Sequence, residues 1–434
     1  MKFLDSFGKR IMIFDGAMGS MLQNAELECP AQFACLVEPE KVAEIHRAYI
    51  EAGCDVITAN TFGANSLKLK SDEYTASQVV EASVKCAVEC ARSANKNVFT
   101  AMDIGPTGRF LYPIGDLQFD TAYEAFGEAA QAGERAGADL ILIETMTDTY
   151  EMKAAVLAAK EYTSLPVIAS FSLDKNGRLL TGADIKTAYS LLMSLGVDGV
   201  SLNCGFGPEF ATGFAKEIID FSGMPVLLMP NAGLPEMKNG AACYSLDAAG
   251  FASQMQSAVG YGLSAVGGCC GTTPEHIKTL SEMFGSIAVP PLSKSAKKYV
   301  TSGSVCVEYI QGKTSVGILL DASSDKTLSE NLAKGDLDCV CDAVFDNAPS
   351  GAEIYSVCAD APGIDTVKIL PRLVSEVQTY ISVPLLISSE NPDALAQALK
   401  IYNGIPLAEC TATDSEAFES GENSIKRFGA VKKE

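Results

Sequence analysis

Short apolar runs alternate with amphipathic stretches along the first two thirds of this chain, and this alternation limits the fold more than any other sequence feature. Eight apolar runs are each followed by a helical pattern, the last being Pro274–Phe284. The runs are Ile11–Phe14, Val56–Thr58, Val98–Met102, Leu140–Ile143, Val167–Phe171, Gly199–Leu202, Val226–Met229 and Ala265–Gly267. Strands that alternate with helices favour a parallel sheet. Eight units in about 280 residues is the size of a (β/α)8 TIM barrel of the α/β class. A doubly wound open sheet is the alternative, because the pattern alone does not prove closure.

The rest of the chain predicts a second, smaller α/β domain. A length of 434 residues exceeds what one core usually supports. Residues 288–304 are rich in Pro, Ser and Lys, which is typical of a linker. Strand-like runs such as Val316–Leu320 and Pro384–Ile387 then alternate with helical patterns. We predict a barrel over residues 1–287, a linker over 288–304 and a domain resembling half a barrel over 305–434.

Charge and composition exclude several classes of function. The formal net charge is −21, and an acidic surface repels phosphate backbones and anionic lipids, so we expect neither nucleic acid nor membrane as a partner. No run is apolar enough to span a bilayer, and the first nine residues lack the apolar core of a signal peptide. We therefore expect a cytoplasmic protein. The two histidines, His46 and His276, leave little for a His-based metal site or a Ser-His-Asp triad.

Acidic residues and cysteines follow the predicted strands directly. Asp15 follows the first strand, Glu144 the fourth, Cys204 the sixth, and Cys269 and Cys270 the eighth. The carboxyl ends of barrel strands form one face, where active sites are built. Turn chemistry explains many of the glycines and asparagines there, but it explains neither these acids nor a cysteine pair. No lysine stands at a strand end, which argues against a Schiff-base aldolase.

Three of the fourteen cysteines are candidate ligands of one zinc ion. Cys204 and Cys269 follow strands that one other strand separates, so their backbones would lie roughly 10 Å apart at the barrel mouth. Cys270 can reach the same ion only if the chain leaves strand geometry, which the flanking glycines permit. A small thiol at the fourth position would lose its proton and become a nucleophile. Because the spacing is not a CxxC pattern, small buried hydrophobic cysteines remain the alternative.

The strand-end motifs resemble those of the homocysteine S-methyltransferase family, above all the homocysteine-binding module of cobalamin-dependent methionine synthase. They occur in the expected order over residues 8–287. They are Asp15-Gly16-Ala17-Met18-Gly19, Asn60-Thr61-Phe62-Gly63-Ala64-Asn65, Gly105-Pro106-Thr107-Gly108, Asn203-Cys204-Gly205, Pro230-Asn231-Ala232-Gly233 and Gly268-Cys269-Cys270-Gly271.

This resemblance implies a zinc-dependent enzyme that methylates homocysteine to methionine. It implies a barrel fold, and it implies that Asp15 and Glu144 hold the substrate ammonium group. The remaining implied roles are zinc binding and catalysis for Cys204, Cys269 and Cys270, carboxylate binding by the backbone of Gly16 and Ala17, and substrate orientation by Asn203 and Asn231. Asp103 receives no role.

The methyl donor is open at this stage. The resemblance implies methylcobalamin carried by a separate corrinoid protein. S-methylmethionine or a betaine-type donor is an alternative, since a zinc-activated thiolate could accept a methyl group from each. A further alternative is a non-catalytic zinc-binding assembly protein, in which Cys243 would complete a closed site.

The last third of the chain resembles the beginning of the pterin-binding barrel that follows this module in methionine synthase. It departs from that family at two strand ends. Ser356-Val357-Cys358 stands where the family has an Asp-Val-Asn type of sequence, and Gly317–Asp321 lacks the Glu-Arg-x-Asn pattern. We therefore expect a degenerate domain that serves docking or homo-oligomer formation rather than folate binding.

Overall fold

Eight parallel strands close into a barrel in the first part of the chain. The computed structural model describes residues 2–238, 241–293, 296–348 and 351–433. The sheet order is β1-β8-β7-β6-β5-β4-β3-β2, and a parallel bridge between Phe14 and Val56 joins its two edges. The strands are β1 (Met12–Ile13), β2 (Val56–Thr58), β3 (Phe99–Ile104), β4 (Leu140–Met146), β5 (Val167–Phe171), β6 (Gly199–Asn203), β7 (Val226–Met229) and β8 (Ala265–Val266). The predicted TIM barrel is confirmed.

Eight helices follow these strands in the predicted alternation. They are α1 (Pro39–Glu51), α2 (Ala76–Ser93), α3 (Phe119–Ala136), α4 (Thr149–Tyr162), α5 (Ile185–Leu195), α6 (Pro208–Ser222), α7 (Ala248–Gly260) and α8 (Pro274–Phe284). Local sequence sets their ends: Thr75 and Gln78 form a capping box at α2, and Gly137 ends α3 with a φ of 98°. Several short elements were not predicted, among them the helices Met18–Asn24 and Ala34–Val37 and a hairpin of Glu236–Lys238 with Ala241–Cys243.

The amino-terminal end of the barrel is filled with aromatic side chains. Phe3 and Phe7 stack at 4.9 Å between ring centroids, and Phe3 meets Phe99 edge-on at 5.6 Å. Phe7 also packs at Gly199, where an added Cβ would come within 2.6 Å of its ring. Since Phe99 and Gly199 begin β3 and β6, this cluster blocks the end of the barrel where strands start. Access to the barrel interior is therefore from the opposite, carboxyl end.

The chain divides into two compact units, one of Met1–Leu180 with Val197–Ser295 and one of Thr181–Gly196 with Ala296–Glu434. Helix α5 thus groups with the second unit. That unit contains a parallel sheet whose strands follow chain order: β9 (Val316–Asp321), β10 (Ile354–Cys358), β11 (Leu385–Ser389), β12 (Leu407–Cys410) and β13 (Val431–Lys432). The helices between them are α9 (Lys326–Ala333), α10 (Val340–Asn347), α11 (Thr366–Tyr380), α12 (Pro392–Ile401) and α13 (Ser415–Arg427).

An antiparallel hairpin precedes this second sheet. Its strands, Lys298–Thr301 and Cys306–Tyr309, pair from Lys298 with Tyr309 to Thr301 with Cys306. Val300 of the hairpin packs in a cluster with Ile354, Leu386 and Leu407. The first of these strands lies inside the stretch predicted to be a linker. The smaller α/β domain is confirmed. Its parallel strands follow one another in chain order, as neighbouring strands of a (β/α)8 barrel do. None of the helices in the described ranges is long and apolar enough to cross a bilayer.

Candidate metal centre and substrate cavity

A cavity of about 460 Å³ lies at the carboxyl end of the barrel. Residues at the carboxyl ends of β1, β2, β3, β4, β6, β7 and β8, or directly after these strands, line it. Most of the residues predicted to form the site are among them: Asp15, Gly16, Ala17, Glu144, Cys204, Cys269 and Cys270. The barrel thus brings together residues that are up to 255 positions apart.

The three cysteine sulfurs meet on one side of this cavity. The Sγ atoms of Cys204, Cys269 and Cys270 all lie within 4.8 Å of one another, and Cys269 and Cys270 are 4.0 Å apart. Tetrahedral zinc with Zn–S bonds of about 2.3 Å would place its sulfur ligands roughly 3.8 Å apart. No other trio of His, Cys, Asp or Glu in the described ranges meets this spacing, and Cys243 is not a member of it. The donor set therefore fits a zinc ion with three protein ligands.

Backbone geometry explains how the sulfurs converge. Cys204 has a φ of +59°, in the left-handed region, and ends β6 with a sharp turn. Its N–H donates to the carbonyl of Met229 at 3.2 Å, and the N–H of Cys269 donates to the carbonyl of Pro230 at 2.9 Å. Both ligand-bearing segments are thus attached to the end of β7, the strand between them.

The sulfurs also perturb one another electrostatically. Hydrogen bonds with Cys204 and Cys269 lower the pKa of Cys270 to about 3, whereas the hydrogen bond with Cys204 contributes most to raising the pKa of Cys269. Two thiols thus stabilise one thiolate. A divalent cation is the kind of group that allows all three to ionise together.

Tyr244 is part of this centre, although the sequence analysis assigned it no role. Its hydroxyl group lies close enough to Cys270 to lower the pKa of that thiol, and its ring lies against Gly271, where an added Cβ would overlap it. Burial and the charge of Cys270 raise the pKa of Tyr244 above its ordinary value. The residue belongs to the segment between the Glu236–Cys243 hairpin and α7, and no sequence motif marks it.

Asp15 is a buried carboxyl group with fixed orientation. Its side chain accepts hydrogen bonds from the N–H and the hydroxyl of Thr58 at 2.7 and 2.8 Å. Burial raises the pKa of Asp15 to about 7. Because β1 and β2 are neighbours at the seam of the barrel, Thr58 holds this carboxyl group at the cavity wall.

Glu144 is oriented by the side chain of Asn203. The Asn203 Nδ2 atom donates to Glu144 Oε2 at 3.3 Å and to Thr145 Oγ1 at 2.8 Å. Its Oδ1 atom accepts from the Thr145 N–H at 3.0 Å and from Ser170 Oγ at 2.7 Å. Burial first, and then the charge of Cys204, raise the pKa of Glu144 to about 8. Asn203 is fully buried and is not among the residues lining the cavity.

The remaining predicted residues differ in their placement. Gly16 and Ala17 line the cavity, and the Ala17 N–H donates to Thr272 Oγ1 at 3.2 Å. A side chain at Gly16 would lie 2.6 Å from that same oxygen, so the close approach requires glycine. Asn231 does not line the cavity; it is buried, and its Oδ1 atom accepts no hydrogen bond from the part of the chain that the structure describes.

Two charged residues of the cavity wall were given no role by the sequence analysis. Asp103, near the end of β3, is only 4% exposed and lines the cavity. Lys68 also lines it, with its Nζ 4.7 Å from the centroid of the Phe62 ring. Asp103 does follow an apolar run, which is the signal that identified Asp15 and Glu144.

Comparisons with known proteins agree with this geometry. The family model described as homocysteine S-methyltransferase matches residues 12–284. Methionine synthase of Mycobacterium tuberculosis (strain ATCC 25618 / H37Rv) is 30% identical over 447 residues, which cover 98% of this chain and 37% of that protein. Methionine synthase of Mycobacterium leprae (strain TN) is 28% identical over 452 residues, with the same coverage. The chain therefore spans little more than a third of the length of these relatives.

A solved structure shares the fold of the barrel. The homocysteine methyltransferase MmuM from Escherichia coli, in its metallated form, superimposes with a TM-score of 0.54 at 22% sequence identity. The match covers 64% of this chain and 97% of that one. About a third of this chain therefore lies outside the fold that the two proteins share.

Proposed function

Because the chain belongs to the homocysteine S-methyltransferase family, we propose that it transfers a methyl group to the sulfur of homocysteine and releases methionine. One observation carries this proposal. Three cysteine sulfurs within 4.8 Å of one another share a cavity with two buried carboxyl groups, Asp15 and Glu144. The cavity thus offers one side to a soft metal ion and the other to a substrate cation.

Cys204, Cys269 and Cys270 would hold a zinc ion. Three protein ligands and an open fourth position are the arrangement of a catalytic zinc site. When bound there, zinc supplies a Lewis acid that lowers the pKa of a thiol, which is about 8.5 in free cysteine, so that the substrate sulfur is nucleophilic at neutral pH. This suits a chain with two histidines, His46 and His276, neither of which lines the cavity.

The amino acid end of homocysteine would bind to the opposite wall. Asp15 and Glu144 face the cavity as acceptors for the ammonium group, and a cation between them lowers the cost of their burial. The backbone of Gly16 and Ala17 would receive the carboxylate. Asn203 would act indirectly, by fixing the orientation of Glu144 through the 3.3 Å hydrogen bond.

We further propose that the donor is a methyl-corrinoid carried by a separate protein. Exposed apolar side chains on loops that follow β2, β3, β5 and β7 support a large donor, since these loops lie on the face that carries the cavity. They include Ile114, Leu180 and Met237, which are 64%, 72% and 71% exposed. S-methylmethionine or a betaine-type donor would need no such surface. Curated relatives that are methionine synthases also favour the corrinoid donor.

The second unit is proposed to dock or to form a homo-oligomer. Ile318 and Phe345 are 67% and 71% exposed in this unit, and they are the apolar side chains that the proposed partner would cover. Light scattering of the full chain beside an Ile318→Glu, Phe345→Glu double variant tests this. We expect a lower molecular mass for the variant, and equal masses would contradict the proposal.

We also propose a cytoplasmic location. All fourteen cysteines are free thiols, and the three candidate ligands must stay reduced to bind zinc. Fractionation of the native cell with an antibody to this chain tests the location, and recovery outside the cytoplasm would contradict it.

An activity assay with several donors tests the main proposal. Zinc-loaded protein is mixed with homocysteine and, separately, methylated corrinoid protein, free methylcobalamin, S-methylmethionine or betaine, and methionine is quantified. We expect methionine with a methyl-corrinoid, and none from a Cys204→Ser variant. Product with S-methylmethionine or betaine alone would select a small-molecule donor. No product with any donor from zinc-loaded protein would refute the methyltransferase and favour the assembly protein.

A further inference from the structure

Asp103 is a third buried carboxyl group in the substrate cavity, beside Asp15 and Glu144. Its backbone is held from both sides by one hydroxyl group. The Asp103 N–H donates to Thr61 Oγ1 at 2.9 Å, and Thr61 Oγ1 donates to the Asp103 carbonyl at 2.7 Å. The end of β3 is thereby fixed, so Asp103 presents its side chain at a defined place in the cavity wall.

One oxygen of this side chain lacks a protein partner. Asp103 Oδ1 is buried, and no hydrogen-bond donor of the described residues reaches it. A buried acceptor without a partner is costly, and native structures seldom contain one without a reason. Since Asp103 also lines the substrate cavity, its carboxyl group is placed to take a donor that the substrate supplies.

The carboxyl group of Asp103 lies close enough to that of Glu144 for each to change the pKa of the other. Two carboxyl groups can share a hydrogen bond only if one of them carries a proton. Burial and the charge of Glu144 raise the pKa of Asp103 well above its ordinary value. Asp103 lowers the pKa of Glu144 against the larger effect of burial. Of the two carboxyl groups, Asp103 therefore binds its proton more tightly than Glu144.

We propose that Asp103 is a specificity residue for the amino group of the substrate, and that its carboxyl group accepts a hydrogen bond from the substrate ammonium group beside Asp15 and Glu144. Asp15, Glu144 and Asp103 would then supply three acceptors to the three N–H groups of a primary ammonium. The cavity would select amino acid thiols with an unmodified amino group. This inference rests on the proposed function, because it takes homocysteine as the substrate.

Calorimetric binding to the zinc-loaded full chain tests the inference without a methyl donor. The ligands are homocysteine and 4-mercaptobutanoate, which has the same carboxylate and thiol but no amino group. In Asp103→Asn the side-chain amide keeps a donor for Glu144 and an acceptor for the substrate. The affinity of this variant for homocysteine should therefore differ from that of the wild type by less than about 3-fold. Asp103→Ala should lower the affinity for homocysteine about 10- to 100-fold, yet change the affinity for 4-mercaptobutanoate less than about 3-fold. Asp116→Ala, which removes an exposed aspartate paired with Arg109, is the control and should alter neither.

Each alternative outcome decides the question. Equal weakening of both ligands by Asp103→Ala would show a merely structural residue, and would overturn the inference. So would a loss of more than tenfold in Asp103→Asn with an unchanged melting temperature, a result that stands even if the alanine variant does not fold. Wild-type protein that binds zinc but not homocysteine would refute the proposed function, and the inference with it.

Discussion

Replacing Asn203 with alanine should damage both stability and substrate binding, by amounts that its contacts allow us to work out. The side chain makes three hydrogen bonds of ordinary length, at 2.7, 2.8 and 3.0 Å, to Ser170 and Thr145. Each contributes about 1 kcal/mol, and the stranded buried groups add to the loss, so we expect a destabilisation of about 3–4 kcal/mol. Urea unfolding of both proteins in the presence of a chelator measures this difference.

Asn203 Nδ2 reaches both Glu144 and, at 4.0 Å, Cys269 Sγ, and the effect on homocysteine binding is worked out from the contact with Glu144. At 3.3 Å the hydrogen bond from Asn203 to Glu144 is longer than the usual 2.9 Å or so, so we take the lower end for a charged partner, about 1.5 kcal/mol. That corresponds to a dissociation constant for homocysteine that rises about 10-fold. Titration calorimetry on zinc-loaded protein measures it.

Ser170→Ala is the matched control for this prediction. It removes a 2.7 Å hydrogen bond to the same Asn203 side chain without touching Glu144. It should cost about 1 kcal/mol of stability and leave homocysteine affinity unchanged. Unaltered homocysteine affinity in Asn203→Ala, or an equal loss in Ser170→Ala, would refute the positioning role of Asn203.

Three further predictions follow from single side chains. His46 is fully buried, neither ring nitrogen has a hydrogen-bond partner among the described residues, and burial lowers its pKa from 6.5 to about 4. The unfolded chain therefore binds the proton first, so stability is lost as the pH falls from 6.5 to 4. His46→Leu should remove about 3 kcal/mol of that loss; urea unfolding of both proteins at the two pH values measures this, and equal pH dependence would contradict it. Gly16→Ala would place its Cβ 2.6 Å from Thr272 Oγ1 and should lower the affinity for homocysteine by more than about 10-fold. Gly19→Ala, whose Cβ would have nothing within 4 Å, is the control and should bind homocysteine normally; equal affinity in the two variants would contradict the reasoning. Tyr244→Phe should lower zinc affinity about 10-fold through Cys270, measured by chelator competition, and unchanged affinity would show that the hydroxyl does not tune the centre.

Much of the barrel could be predicted because local pattern and tertiary role agree. The apolar runs Val56–Thr58, Val167–Phe171 and Val226–Met229 are strands with those same bounds, since each is short, apolar and followed by turn residues. Once strand order is known, Cys204 and the Cys269-Cys270 pair must end at the same face.

What the sequence could not supply are contacts between distant segments that carry no periodic signal. Tyr244 touches the cysteine centre from a segment between two elements, and Thr58 braces Asp15 across the seam. The pairing of Asp103 with Glu144 depends on the positions of two side chains on adjacent strands. The hairpin strand Lys298–Thr301 lies in a Pro- and Ser-rich stretch, so tertiary pairing overrides its local composition.

X-ray absorption at the zinc edge tests the central claim most directly. Wild-type protein should bind one zinc with three sulfur neighbours at about 2.3 Å and a lighter fourth ligand, and homocysteine should raise the sulfur count to four. Cys204→Ser should lose most of its zinc. A sulfur count that homocysteine does not change, or equal zinc in Cys204→Ser and wild type, would contradict a zinc centre built by these three cysteines to take up the substrate thiol.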